Sequence, residues 1–236
     1  MVIFANRRGA ARRRRAYTAE ARPPGRRDRR KQATRRQLIR AGRRLFSEAG
    51  LYEARIEDLS RRAGIAKGTL YLYFRNRDEL AREVVAMGYR ELRAHVLGRI
   101  GGTRSLGGLV RALVEAHVEF FRENPDLVRI FHQARGMLKF HRREWRGLRA
   151  PLRGHLDFLA EALRGVPSGL RRRPAARRDL ALHLFGSVSG VVSVRTAVLP
   201  QGGPQGDARH LASGLARLAA TASRGRRRRP SGSSRS

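Results

Sequence analysis

The sequence predicts an all-α protein of one or two domains, and three observations carry that prediction. Between the two chain ends, apolar residues recur with the 3.6-residue period of helices, and no segment alternates convincingly as a strand would. Glycines and one Asn-Pro pair divide this pattern into pieces of helical length. The chain has 236 residues, of which 41% are apolar, and this is enough to bury a core.

Composition sets the outer boundaries of the folded part. Residues 1–29 form an arginine-rich arm and residues 224–236 a similar tail, and both are expected to be disordered in isolation because they hold few large apolar residues. The helical pattern fills the residues between them, which divide into an N-terminal domain over 30–80 and a C-terminal domain over 81–223.

The helices of the N-terminal domain are predicted from stripes of apolar residues. Gly50 is expected to end the first helix, since glycine is common just past a helix end, and Gly64 is expected to lie in a turn between two short helices. The predicted helices cover about 30–49, 56–63, 67–74 and 78–100.

The helices of the C-terminal domain follow a glycine-rich connector over 101–108. Asn124 and Pro125 form a cap followed by a first-turn proline, so a new helix begins there. Pro151 is expected to start or kink a helix. The predicted segments are 106–123, the helix from Pro125, 141–165, 180–199 and 207–223.

Charge points to a polyanionic partner without identifying it. The formal net charge is +34, from 53 basic and 19 acidic residues, and only three of the basic residues are lysines. Such a bias toward arginine is typical of arginine-favouring codon composition, so the position of the charge is more informative than its sum. Both ends are strongly basic, which is compatible with DNA, RNA or an anionic membrane surface.

Several classes of protein are excluded. The chain has no cysteine, which excludes disulfide scaffolds, thiolate metal sites and cysteine nucleophiles. No apolar run is long enough for a membrane helix and no signal peptide is visible, so a soluble, cytoplasmic protein is expected. No nucleophile–base set, phosphate loop or metal-ligand set is present, so we expect no enzymatic activity, no cofactor and no metal.

Residues 55–74 have the spacing of a helix-turn-helix, in which one helix braces the next in the DNA major groove. The stretch from Ile56 to Leu80, with Ala-Gly-Ile-Ala-Lys-Gly-Thr-Leu-Tyr at its centre, resembles the DNA-binding domain of the tetracycline-repressor (TetR) family. Residues from Thr34 to Tyr52 resemble the opening of that domain, and the helical layout beyond Leu80 is similar in architecture only. The resemblance implies a three-helix DNA-binding domain followed by a helical ligand-binding and dimerisation domain.

The resemblance also implies roles for individual residues. Lys67 and Thr69 would face base edges or phosphates, Gly68 would allow close backbone approach, and two tyrosines would reach phosphates or a thymine methyl group. Basic side chains would contact phosphates from the flanking helices. The DNA-binding residues expected in this way are Arg35, Arg55, Lys67, Gly68, Thr69, Leu70, Tyr71, Tyr73 and Arg77.

Two positions depart from the family pattern. Arg55 and Ala66 stand where hydroxyl residues usually cap the second and third helices, and each loss is worth about 0.5–2 kcal/mol. We therefore expect frayed helix starts in the free protein. The basic runs at residues 12–15 and 26–30 are expected to be solvated, flexible arms, and for the second run a contact in the DNA minor groove is the alternative.

The remaining expectations concern an effector and a second subunit. Aromatic, histidine and arginine side chains could line a pocket for a small apolar effector, although an ordinary core explains them equally well: His117, Phe121, Phe131, Arg135, Trp145, His155 and Phe158. The last two long helices are those that build the dimer interface of the family, and the candidate interface residues are Gly186, Gly190, Leu211, Leu215 and Leu218.

The function expected from the sequence is therefore a homodimeric repressor that an effector releases from a palindromic double-stranded DNA operator, associated with the nucleoid. The long helix from Asp78 would join the two domains and act as the lever between them. The alternative is a sequence-nonspecific nucleic-acid compactor that uses the basic arms, with salt dependence as the discriminating measurement.

Overall fold

A computed structural model describes residues 25–140, 146–197 and 205–224. The described residues form α1 (Arg26–Glu53), α2 (Ile56–Ala63), α3 (Lys67–Tyr71), α4 (Arg77–Ile100), α5 (Leu106–Glu123), α6 (Pro125–Phe140), α7 (Arg149–Arg164), α8 (Pro174–Ala197) and α9 (Gln205–Arg224), with 3₁₀ turns at Arg146–Leu148 and Gly169–Arg172. No strand occurs in these three stretches, so the predicted all-α class is confirmed.

The chain divides into two compact units at Gln37. In the first unit, the described residues 25–37 hold the beginning of α1, where the Thr34 hydroxyl donates to the carbonyl of Arg30 at 3.1 Å. Helix α1 begins at Arg26, so the last residues of the predicted disordered arm are helical.

The second unit has one hydrophobic core shared by its helices. Side chains that are less than 2% exposed include Phe46, Leu59, Leu70, Phe74, Leu80, Leu92 and Leu113. Helix α9 packs on α5 and α8, while α4 contacts α5, α6 and α7. Arg195 of α8 pairs with Asp207 at the start of α9, at 2.6 Å between Nε and Oδ2.

Helix ends follow the local signals in the sequence. Gly50 has φ 83° and interrupts α1 at the position where the helix was predicted to end. The adjacent Ala49 is exposed and does not belong to the apolar, buried side of this helix. The side chains of Asn76 and Ser105 cap α4 and α5 by accepting from Glu79 N at 2.9 Å and Gly108 N at 3.1 Å.

The differences from prediction lie at helix boundaries. Helix α3 ends at Tyr71, three residues early, and α8 begins at Pro174, six residues before the predicted start. Within the predicted segment 141–165, residues 141–145 lie outside the described part, and Pro151 stands in the first turn of α7. Helix α8 begins early because Pro174 occupies its first position, where proline is favoured.

Candidate nucleic-acid interface and effector cleft

A tight turn sets the angle between α2 and α3. Gly64 has φ 63° and ψ 33°, the left-handed conformation that glycine adopts without strain. Its N–H donates to the carbonyl of Arg61 at 3.3 Å, and the N–H of Ile65 donates to Ser60 at 3.1 Å. Because these bonds satisfy the last carbonyls of α2, the turn is a well-formed helix end.

Three core side chains hold α3 in place. Leu59 of α2, Leu70 of α3 and Phe74 just beyond α3 are all fully buried. Leu70 was predicted to be a DNA-binding residue, but its side chain is fully buried and cannot contact DNA. Leu70 instead fixes α3 to the core.

The opposite side of α3 faces solvent. Lys67, Gly68 and Thr69 are exposed, and Tyr71 is 41% exposed. A Cβ atom at Gly68 would meet nothing within 4 Å, and its φ is not positive. Folding therefore does not require glycine at position 68, which leaves close approach of an external surface as a reason for it.

A carboxylate lies among these exposed side chains. Glu57, in the first turn of α2, has its Oε1 at 3.0 Å from Lys67 Nζ and accepts a hydrogen bond of 3.3 Å from the Tyr71 hydroxyl. The hydrogen bond and charge of Lys67 lower the pKa of Glu57, and the same contact raises the pKa of Lys67. Both groups are thus charged at neutral pH.

The other predicted DNA-binding residues differ in their exposure and contacts. Arg55 is exposed and, as expected, makes no side-chain cap on α2; Ala66 makes none on α3. Arg77 donates to the backbone carbonyl of Tyr52, and its guanidinium lies 5.9 Å from the centre of the Tyr52 ring. In the free protein Arg77 therefore contacts the C-terminal end of α1. The remaining two, Tyr73 and Arg35, are partly buried.

Sequence reasoning missed two residues of this face. Leu72 is 77% exposed although it is a large apolar residue, and it directly follows Tyr71. Glu57, which contacts Lys67 and Tyr71 on this face, was also not predicted. Helical spacing within one helix gives no signal for Glu57, because its partners lie 10 and 14 residues away on another helix.

Most of the predicted pocket residues come together in a buried aromatic cluster to which α4, α5, α6, α7 and α8 contribute. Tyr89 stacks on Phe131, with ring centres 4.2 Å apart and planes 7° apart, and its ring also contacts His155 and Phe185. His117 and Phe121 belong to the same cluster. Phe158 contacts His155 from a half-buried position, and Trp145 lies outside the described residues.

The two histidines of this cluster form a buried hydrogen-bonded pair. Nδ1 of His117 lies 2.6 Å from the carbonyl oxygen of Leu113, so it must carry the proton. Its Nε2 is then an acceptor for Nε2–H of His155, 3.0 Å away. Nδ1 of His155 is left as a buried acceptor to which no described residue donates. Burial lowers the pKa of His117 to about 4 and that of His155 to about 2, so both are neutral.

A narrow cleft opens beside this cluster between α5, α6 and α8. It is lined by Phe121, Val128, Phe131, Arg135, Ser189, Val192 and Ser193, and its volume is about 10 Å³. The guanidinium of Arg135 lies 3.5 Å from the Ser193 hydroxyl, and burial lowers its pKa. No carboxylate of the described residues pairs with Arg135. The cleft therefore combines an apolar wall with an uncompensated cation and two hydroxyls.

Helix α6 also contacts α1. Arg43 donates to Asp126 Oδ1 at 2.8 Å, to Asn124 Oδ1 at 2.9 Å and to Glu91 Oε2 at 2.9 Å. Burial alone would raise the pKa of Asp126, but the hydrogen bonds and charge of Arg43 outweigh this effect and leave it lowered. One helix therefore lines the cleft and forms ion pairs with the helix that precedes the helix-turn-helix.

One face of α8 is apolar and exposed. Positions four residues apart form a stripe, with Leu182 56% exposed and Val194 50% exposed at its ends, and Gly186 and Gly190 between them. A Cβ at either glycine would meet nothing within 4 Å. On α9, Leu218 is 41% exposed and Leu211 is half-buried, whereas Leu215 is buried within the chain.

Two further searches cover the described residues only. They contain no group of three potential metal ligands. None of their helices has both the length and the apolarity needed to cross a membrane.

Comparison with known proteins agrees with this geometry. Residues 38–84 match the family model described as bacterial regulatory proteins, tetR family. The chain is 27% identical over 101 residues to the uncharacterized HTH-type transcriptional regulator YdgC of Bacillus subtilis, and 27% identical over 104 residues to an uncharacterized HTH-type transcriptional regulator of Haemophilus influenzae. These matches cover 41% and 44% of this chain, and 52% and 56% of those proteins, so the similarity spans about half of each relative.

Solved structures share the fold over most of the chain. The fatty acid degradation regulator FadR from Bacillus halodurans superposes with a TM-score of 0.66 at 18% identity, covering 77% of this chain and 97% of that one. FadR from Bacillus subtilis in complex with stearoyl-CoA gives 0.64 at 17% identity, covering 79% and 98%.

Proposed function

We propose that this chain, whose residues 38–84 match the family model of the tetR bacterial regulatory proteins, is a homodimeric repressor released from a palindromic DNA operator by an apolar effector. The observation that carries the proposal is the solvent-exposed side of α3, with Lys67, Gly68 and Thr69 accessible while Leu70 anchors the helix in the core. An exposed recognition helix on a rigid support is what reading of a major groove needs.

The apolar stripe on α8 supports the homodimer. Exposed leucine and valine at its ends cost free energy in water, and the glycines between them let a second helix approach closely. Two copies related by a two-fold axis would present two recognition helices to successive major grooves. The operator is then pseudo-palindromic, with half-sites separated by whole helical turns.

The cleft beside Arg135 supports an effector that is apolar and carries an anionic group. A half-buried guanidinium without a carboxylate partner has lost part of its hydration, and a ligand carboxylate or phosphate would replace it. FadR of Bacillus subtilis, which shares the fold, is solved with stearoyl-CoA. We extend to this chain only the class of ligand, an acyl compound with an anionic end.

Release from DNA follows from the size of the cleft and the contacts of α6. A volume of about 10 Å³ holds about one water, so an effector must separate α6 from α8 to enter. Because Asp126 and Gln133 of α6 bind Arg43 and the backbone N–H of Leu51, movement of α6 is transmitted to the DNA-binding side. The effector thereby favours a conformer with the wrong spacing of recognition helices.

Selection of genomic DNA fragments by the purified protein at near-physiological salt tests the DNA-binding proposal. Recovery of one palindromic motif supports the repressor. Recovery of all fragments about equally, with affinity that collapses uniformly as salt rises, contradicts it and favours the nonspecific compactor.

Thermal shift tests the effector proposal. Palmitate and palmitoyl-CoA are added to the wild type, to Arg135→Met and to the matched control Arg129→Met, which removes an exposed arginine from the same helix. We expect at least one ligand to raise the melting temperature of wild type and control but not of Arg135→Met, and to release DNA. Equal shifts in all three proteins would exclude Arg135 as the anion-binding residue.

A further inference from the structure

One carboxylate lies on the exposed side of α3 that would face DNA in the proposed complex. Glu57 is a carboxylate on a basic surface, 44% exposed, and it bonds to two side chains that face DNA in the proposed complex. Its Oε1 lies 3.0 Å from Lys67 Nζ and 3.3 Å from the Tyr71 hydroxyl. A residue that served only nonspecific affinity would not be acidic, because a carboxylate near phosphates is repelled.

The chemistry of the major groove limits what a carboxylate can bind there. An ionised carboxylate only accepts hydrogen bonds, and the donors on base edges are the amino groups of cytosine and adenine. Adenine places its N7 acceptor beside its amino group, which repels a carboxylate, whereas cytosine presents the amino donor alone. Cytosine is therefore the better partner for Glu57.

The neighbouring cation fits the other half of the same base pair. Guanine, which pairs with cytosine, presents two acceptors, O6 and N7, and lysine donates to them. Glu57 and Lys67 are already side by side, so together they offer an acceptor next to a donor. This arrangement is complementary to one C·G pair, in one orientation.

We propose that Glu57 is a specificity-determining residue that reads one C·G base pair in each operator half-site, accepting from the cytosine amino group while the adjacent Lys67 donates to guanine. The inference rests on the proposed DNA-binding function. In the free protein the carboxylate of Glu57 bonds to Lys67 and Tyr71. To bind a phosphate in nonspecific DNA, Lys67 must first break its contact with Glu57. Glu57 thus lowers nonspecific affinity and rewards the correct base pair.

The test is selection from a randomised DNA library by the full chain, with wild type, Glu57→Gln, Lys67→Met and the control Asp58→Asn. Asp58 is in the same first turn of α2 but pairs with Arg61, so its variant removes an equal charge without touching α3. Wild type is expected to select a motif with one strongly preferred C·G pair per half-site. Glu57→Gln is expected to lose that preference roughly tenfold and to shift toward adenine, since an amide matches the adenine donor and acceptor.

The remaining variants complete the test. Lys67→Met should lose preference at the same base pair, and Glu57→Gln should bind random DNA more tightly, with a salt slope steeper by about one. Circular dichroism melting confirms that the variants are folded. An unchanged motif in Glu57→Gln, or an equal loss in Asp58→Asn, overturns the inference. If the wild type itself selects no motif, the proposed function fails first and the role of Glu57 fails with it.

Discussion

At the scale of single residues, two glycines four positions apart have different reasons to be glycine. Gly64 has φ 63° and is needed for the turn, whereas Gly68 has an ordinary helical backbone and open space where a Cβ would lie. The backbone of the turn favours glycine at position 64, whereas nothing in the described structure favours it at position 68, where glycine would serve close approach of DNA in the proposed complex. Substituting each residue separates stability from binding.

Gly64→Ala is expected to lower the free energy of unfolding by about 1–2 kcal/mol, because a side chain at positive φ is strained. Gly68→Ala should change it by less than about 1 kcal/mol, while weakening operator binding about tenfold or more, equivalent to about 1.4 kcal/mol. Urea unfolding and fluorescence anisotropy measure the two effects. Normal operator affinity in Gly68→Ala would argue against close backbone approach.

The buried His117–His155 pair makes stability sensitive to acid. Folding lowers the pKa of the two groups from 6.5 to about 4 and about 2, so below pH 6.5 the unfolded chain binds protons that the folded chain does not. Stability is therefore complete above pH 6.5 and falls as the pH drops, by about 1.4 kcal/mol per pH unit for each histidine.

Urea unfolding between pH 7 and pH 5 measures this slope before the carboxylates titrate. A His117→Leu/His155→Leu double variant should lose it, whereas His183→Leu, which removes an exposed histidine, should keep it. A flat profile for the wild type would mean that the pair is not buried and neutral as described.

At the scale of the helix, the N-terminal caps differ between the helices. Asn76 and Ser105 cap α4 and α5, but Arg55 and Ala66 leave the N-termini of α2 and α3 without side-chain caps. Helix α7 also begins without a side-chain cap, at Leu148, but α2 and α3 are the helices of the helix-turn-helix and would gain partners on DNA. The absence of these caps is the basis for predicting that the N-termini of α2 and α3 fray in the free protein, and hydrogen exchange can measure this.

Ala66→Ser restores a capping hydroxyl at the start of α3 and is expected to raise the free energy of unfolding by about 0.5–2 kcal/mol. Thr221→Ser, at an exposed site within α9, is a matched control for adding serine and should change little. Hydrogen exchange of the α3 amides should slow in Ala66→Ser. Equal exchange in both proteins would mean that α3 does not fray.

At the scale of the whole molecule, the exposed stripe on α8 is the feature that a single chain leaves unexplained. A Cβ at either of its two glycines would meet no atom of the described residues within 4 Å, and its leucine and valine ends are exposed. A two-fold dimer would cover all four positions at once. The proposed dimer would form through exposed residues of α8, so it can be tested by substitutions that leave the core unchanged.

Gly190→Leu is expected to weaken dimerisation at least tenfold, or about 1.4 kcal/mol, because a bulky side chain separates helices that pack at glycine. Gly98→Leu is the control, since Gly98 is also exposed and helical, and a Cβ there would meet no atom of the described residues within 4 Å. Sedimentation equilibrium measures the oligomeric state of both. Identical dimers in both variants would place the interface elsewhere.

The helices and the helix-turn-helix could be predicted from the amino-acid sequence, because their signals are local. Gly50, Gly64 and Asn76 act within one turn of themselves, and the apolar period is read along one helix. The motif around α3 was predictable for the same reason: its residues are contiguous.

Tertiary structure alone decided which polar side chains meet. His117 and His155 are 38 residues apart, Arg43 and Asp126 83 apart, and Glu57 joins a different helix. No pattern within one helix encodes such pairs, since they depend on how helices cross. For that reason the fold and the exposed side of α3 could be predicted, whereas the narrowness of the cleft and the contacts of Glu57 could not.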